Sequence, residues 1–409
     1  MTNVRPGRSG QWLPTGDIAN LPSHLRAEGA FRPAPLREDI RLRRGTYQAA
    51  SRASEALGRL DEAAARLPNR GALVRLTQIR EAEVSFDLDK LFYSLSEIMA
   101  MDLPDVDVQP PVDPAVLRLR RADDDAVDRV RRGDPVGRTL LCRTAAILAD
   151  VPVPSDDIEV MDRVPWRTDH RWLGGPAAAD AYLQCVPPGA ELHASVAEWL
   201  TWLDETSDLP VVVRLALGHY QLAVLAPVAN AQHLSRLLIP LVLIQEKTMR
   251  DQILAPSMWF SRRNGEYRRQ LRAVVDSGEF DSWVTFFADG VHELCVSQIE
   301  FVYQLEEVGD RLLGKLSQRN DGLARLVTAL IGNPVFNTQL AMKLSGLGDR
   351  QVHTLVTRLE KAGIVRKMDR NRLIRKKNSQ VVREVPDVVK VIGMFDHLPF
   401  RRDRSVFDA

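Results

Sequence analysis

The sequence predicts an almost entirely helical body followed by a small three-helix module with a two-stranded appendage. Three observations carry this reading. Residues 36–101 and 115–310 run in long helical patterns broken by short Pro and Gly punctuation, with almost no strand-like alternation. From Asp321 onward, short helices with recognisable caps can be drawn. Two short β-rich runs then flank a polar turn.

In chain order, residues 1–35 are rich in Pro, Gly and Arg without periodicity and read as an arm lying on the body or partly disordered. Residues 36–105 form a first helical region. Ala49, Ala53, Ala56, Leu57 and Leu60 line one face there, and Leu88, Leu91, Phe92, Leu95 and Met99 line another. The proline-rich stretch 103–114 separates it from a core spanning 106–317. Within that core, Trp172-Leu173-Gly174-Gly175 sits between short extended runs and reads as a small hairpin. Residues 318–380 hold the module. Asp321, Asn337 and Asp349 cap its helices, Gly363 ends the third, and the strands Ile364–Met368 and Leu373–Arg375 flank Asp369–Arg372. This is the pattern of a winged helix-turn-helix, leaving 381–409 as a tail.

Composition narrows the function classes. Lys plus Arg (55) balances Asp plus Glu (54), so any basic surface must be local. One such surface is visible: between Arg350 and Lys377 ten basic residues face only Glu360 and Asp369. Arg350 and Arg358 on the third helix are candidates for reading groove edges. Arg370, Arg372 and Arg375 on the wing are candidates for holding phosphates. The alternative role of such a module is dimerisation or partner docking. Cys142, Cys185 and Cys295 match neither a disulfide framework nor a metal-site spacing, and they suit a reducing cytosol. The longest aliphatic run, Leu237–Ile244, is too short to span a bilayer, and the start lacks an apolar signal region, so a cytoplasmic location without membrane contact is expected.

Several separated segments, in the right order, resemble the Fic family. Ala53–Asp61 with Leu67-Pro68-Asn69 looks like its N-terminal region. Arg167-Thr168, Trp172-Leu173-Gly174-Gly175 and Val186-Pro187-Pro188 look like the surroundings of its target-docking flap. Ala255–Ser261, Glu266-Tyr267 and Trp283–Phe287 look like its closing helices. The resemblance implies a Fic-fold helical bundle with a β-hairpin flap. It also implies an ancestry in AMP transfer from ATP to a hydroxyl, through a His-Pro-Phe-x-Asp-Gly-Asn-Gly-Arg-x-x-Arg motif.

In that motif the His is the general base, the Asp holds Mg²⁺, the glycines shape a phosphate nest and the arginines neutralise phosphate charge. Here Ala226 falls at the His position, Pro227 survives, and Asn230 falls at the Asp position. Ala231 and Gln232 follow, His233 stands near the first Arg, and Arg236 survives as the last. The loop has no glycine and is one residue short. The resemblance therefore implies a degenerate motif and no retained ATP or Mg²⁺ cofactor. The old cleft would be left for a small ligand or a protein partner, with His233 and Arg236 as the polar groups available to any replaced chemistry. Divergent AMP transfer is the remaining alternative. The family's inhibitory helix is matched in part by Ser85 and Asp89, the latter a candidate partner for Arg236. His219 precedes the motif on an apolar helix and is expected to be a packed core histidine.

Overall fold

The computed structural model describes residues 6–7, 9–15, 18, 21–37, 39–88, 91–104, 112–153, 166–174, 180–205, 208–228, 230–315, 321–368 and 381–395. Its elements follow in chain order. β1 (Pro6–Gly7), β2 (Gly10–Leu13), α1 (Ser23–Glu28), β3 (Ala30–Pro33), α2 (Arg44–Ala65), α3 (Arg70–Leu88) and α4 (Leu95–Ala100) come first. α5 (Pro114–Arg132), α6 (Arg138–Leu148), β4 (Trp172–Leu173), β5 (Leu183–Cys185), α7 (Ala190–Asp204), α8 (Val211–Leu225) and α9 (Ala231–Gln245) form the middle. α10 (Pro256–Arg262), α11 (Asn264–Ser277), α12 (Asp281–Gly314), α13 (Asp321–Gly332), β6 (Val335–Phe336), α14 (Thr338–Ser345), α15 (Asp349–Lys361), β7 (Arg366–Lys367), β8 (Arg383–Glu384) and α16 (Pro386–Phe395) complete it. The protein is predominantly helical, as expected.

Two compact units divide the chain, the first comprising Met1–Leu57, Ala115–Arg250 and Trp259–His292. Its centre is the α8–α9 hairpin. Thirteen of the fifteen residues in α8 are buried, and in α9 Gln232 and the terminal Gln245 alone escape burial. A helix apolar on every side must lie inside the protein, and the sequence of α8, with four valines and four leucines in fifteen residues, leaves no polar face to turn outward. Around the hairpin, Trp283 donates from Nε1 to the Ala216 carbonyl at 2.7 Å. Trp199, Trp202, Trp259 and Trp283 are all buried, as helix-packing residues should be. α5 is amphipathic instead: Val116, Leu119, Ala122, Ala126, Val127 and Val130 form its buried stripe, leaving Asp123 and Asp125 beside it.

Among the described residues, the N-terminal segment contributes three strands that the sequence reading of an arm did not include. β1, β2, β3, β5 and β4 form one sheet in that order, with β2 antiparallel to β3 and β3 parallel to β5. The hairpin expected around Trp172 is present as β4 paired antiparallel with β5, Trp172 opposite Gln184 and Leu173 opposite Leu183. Strands of two to four residues are too short to show alternation, and β3 finds β5 in a distant part of the chain, so the sheet left no local trace.

The second unit comprises Gly58–Pro114, Asp251–Met258 and Glu293–Ala409. In it α13 lies close against α3. A Cβ on Gly332 would come within 2.7 Å of the Ala72 backbone, so that close approach requires a glycine. Asn337 caps α14 by accepting from the Leu340 N–H at 2.9 Å, and Gly363 (φ 67°) follows α15. Asp349 is the first residue inside α15, with Gly348 as the N-cap. A three-stranded antiparallel sheet, β6-β8-β7, completes this part. Among the described residues β7 pairs with Arg383–Glu384, and the Leu373–Arg375 segment expected from the sequence to pair with it lies outside them. The stretch read as a tail thus supplies a strand and α16, whose Val388, Val391 and Ile392 are buried.

Candidate functional site

The loop joining α8 to α9 carries the sequence-predicted site. Ala226 ends α8 in the left-handed conformation (φ 45°, ψ 57°), which costs an L-residue roughly 1–2 kcal/mol relative to glycine. The conformation is held by Arg167. Its Nε–H donates to the Ala226 carbonyl at 2.8 Å, its other guanidinium nitrogens donate to the Val186 and Asp169 carbonyls, and its backbone N–H donates to the Pro227 carbonyl at 2.9 Å. Burial holds the Arg167 pKa below its ordinary value, although a guanidinium remains charged. Sequence reading placed Arg167 near the flap without assigning it this task. A buried arginine surrounded by carbonyls has no sequence signature.

Ala226, Val228, Ala231, His233 and Arg236 are all buried, whereas Asn230 and Gln232 are half-buried. Asn230 is the N-cap of α9 by position, but its side chain makes no capping bond. Gln232 donates to the Ala223 carbonyl at 3.2 Å, which ties the first turn of α9 back to α8.

His233 is met by Asp123 of α5, its Nε2–H donating to Oδ1 at 2.7 Å. Asp123 is the residue that sequence reading missed. Its signal was the Asp123-Asp124-Asp125 run, three carboxylates on a helix whose neighbouring positions face the core. Asp125 is committed elsewhere, to a two-pronged bond with Arg143 at 2.7 and 3.0 Å that lowers its pKa.

His219 behaves as the core histidine that the sequence suggested. Fully buried, it stacks on Phe260 with ring centroids 4.8 Å apart and lies near-parallel to Trp283 at 5.9 Å. Burial lowers its pKa to about 3, and the nearby Arg236 charge pushes in the same direction. The ring is therefore neutral, with Nδ1–H donating to the Ser235 carbonyl at 2.8 Å. Nε2 is then left to accept from the Tyr267 hydroxyl at 3.1 Å. That hydroxyl has a second acceptor, Gln232 Oε1, at 3.2 Å.

Other predicted residues fall as follows. Ser85 is buried in α3, and Asp89 lies outside the described residues. Gly174 follows β4, where a Cβ would strike the Ala181 Cα at 2.4 Å. Arg350 is exposed on α15 with Gln351, His353 and Thr354, whereas Arg358 is half-buried. Arg370, Arg372 and Arg375 lie outside the described residues. The three cysteines are buried, and burial raises the Cys142 and Cys185 thiols to about 11, which disfavours the thiolate. Among the described residues no cluster of three or more His, Cys, Asp or Glu is placed to hold a metal ion, and no helix is long and apolar enough to cross a membrane.

Helices enclosing an apolar hairpin, with the β4–β5 strand pair beside the connecting loop, define a helical class of protein. Residues 47–127 match the family model described as Fic/DOC family N-terminal. A Fic family protein from Desulfovibrio desulfuricans G20 shares the fold at a TM-score of 0.52 and 15% identity, over 85% of this chain and 98% of that one. A fragment of Fic-1 from C. elegans is similar at a TM-score of 0.45 and 15% identity, over 64% of this chain and 74% of that one, too low a likeness to add weight. The family match spans residues 47–127, and the likeness to the Desulfovibrio desulfuricans structure shows the fold.

Proposed function

We propose that this chain is a Fic-fold protein that does not transfer AMP and that acts by binding. The observation that carries this reading is Ala226. It occupies the position of the family's general base, cannot accept a proton, and has its carbonyl bonded by Arg167. The residues around it do not fit Mg²⁺-ATP. Asn230 offers a metal only a neutral oxygen, the loop has no glycine to form a phosphate nest, and Arg236 is buried. Binding is assigned to two places, a protein or small-ligand contact at the former cleft and a C-terminal winged helix. The order α13, β6, α14, α15, β7, β8, with its three strands in one sheet, supports that second assignment, as do the exposed Arg350, Gln351, His353 and Thr354 on α15.

Incubation with labelled ATP, Mg²⁺ and lysate tests the first claim. No protein labelling is expected, and labelling that disappears in Arg236→Ala would refute it. A second reading, altered chemistry in the inherited pocket, is favoured by the His233–Asp123 pair at 2.7 Å, the arrangement in which a carboxylate orients an imidazole. Turnover of any substrate lost in both His233→Gln and Asp123→Asn would support it.

A further inference from the structure

Within the same unit as the α8–α9 loop, a cleft of about 510 Å³ is lined by residues 34–37 and 40–43 on one side and by Gly278–Asp281 on the other. That volume lies within the range of small-molecule sites. Leu36, Ile40, Leu42 and Phe280 supply its apolar walls. Tyr220 and Gln221, adjacent on α8, also line it, although they are only 1% and 2% exposed.

These two side chains have unmet hydrogen-bonding capacity. Gln221 donates from Nε2 to the Ala34 carbonyl at 3.0 Å, which fixes its other end as an acceptor. Neither Gln221 Oε1 nor the Tyr220 hydroxyl has a hydrogen-bond partner among the described residues. Leaving a buried polar group unsatisfied is costly, and two such groups on residues that line one cleft mark where a ligand would be repaid. Burial raises the Tyr220 pKa, so the phenol stays a neutral donor. At the mouth, Arg37 is bonded twice to Asp39 at 2.9 Å, and Arg43 faces Glu279 and Asp281 at 3.5 and 3.9 Å. Arg41 is exposed and makes no ion pair among the described residues.

We propose that this cleft binds a small amide-bearing carboxylate of the N-acylated amino-acid type. Its amide N–H donates to Gln221 Oε1 and its amide carbonyl accepts from the Tyr220 hydroxyl. The carboxylate pairs with Arg41, and an apolar side chain lies against Leu36, Ile40 and Phe280. This site is separate from the α8–α9 loop, so it stands or falls independently of the absence of AMP transfer.

Isothermal titration and saturation-transfer NMR with N-acetyl-L-phenylalanine test it, with N-acetyl-L-phenylalaninamide and 3-phenylpropionate as controls that lack the carboxylate and the amide. Both controls should bind about tenfold more weakly. Tyr220→Phe removes only the unpartnered hydroxyl. It should keep the melting temperature and weaken the probe about five- to tenfold. Arg41→Ala should weaken the carboxylate probe and leave the amide control unchanged. The proposal is overturned by no binding at about 10 mM probe, or by equal binding to wild type and Tyr220→Phe. It is also overturned if Tyr220→Phe lowers the melting temperature without affecting binding, since the hydroxyl would then be satisfied within the fold.

Discussion

Acidification should destabilise this protein through His219, and the structure sets the size of the effect. In the unfolded chain the imidazole titrates near 6.5, whereas in the folded protein burial lowers its pKa to about 3. Above 6.5 both states are neutral there, and the residue adds no pH dependence. Between 6.5 and 3 the unfolded state binds a proton that the folded state does not, so stability falls as pH falls, by up to about 1.4 kcal/mol per unit. Integrated from pH 7 to pH 5, the loss is about 2 kcal/mol. The comparison needed is with His219→Phe. A phenyl ring can keep the stack between Phe260 and Trp283, and Tyr267 retains Gln232 as its acceptor. Urea denaturation at pH 7 and pH 5 should show wild type losing about 2 kcal/mol more than His219→Phe. Equal losses in the two proteins would mean that His219 is protonated in the folded state, and the reasoning from burial would be wrong.

Two further outcomes follow from packing and charge. Gly290→Ala should cost about 2 kcal/mol, because a Cβ there would lie 2.3 Å from Trp259 Nε1, whereas Gly309→Ala on the same helix meets nothing closer than 3.5 Å and should be neutral or stabilising by up to about 1 kcal/mol; thermal melts distinguish them. Fluorescence anisotropy with genomic duplex fragments should show binding that weakens as salt rises. Arg350→Ala should erode sequence preference, and the Arg370→Ala/Arg372→Ala double variant should weaken all sequences alike and flatten the salt slope. No binding at low salt would leave the C-terminal module as a docking element.

What could be read directly from the chain was whatever local pattern encodes. The apolar α8–α9 hairpin announced itself by composition, since a helix without a polar face has only one environment available. Asn337 and Gly363 bounded helices because cap geometry is a property of a few consecutive residues. That Ala226 has no side chain able to accept a proton was equally legible, as side-chain chemistry is written in the residue itself. Tertiary structure alone decided the rest. It joined β3 to β5, brought Asp123 to His233 across 110 positions, gathered backbone carbonyls around Arg167, and paired β7 with Arg383–Glu384. Each of these pairings depends on where two distant segments meet. A carboxylate or a two-residue strand carries no mark of its partner, because the energy that selects the partner comes from burial and hydrogen bonding that exist only once the chain has packed.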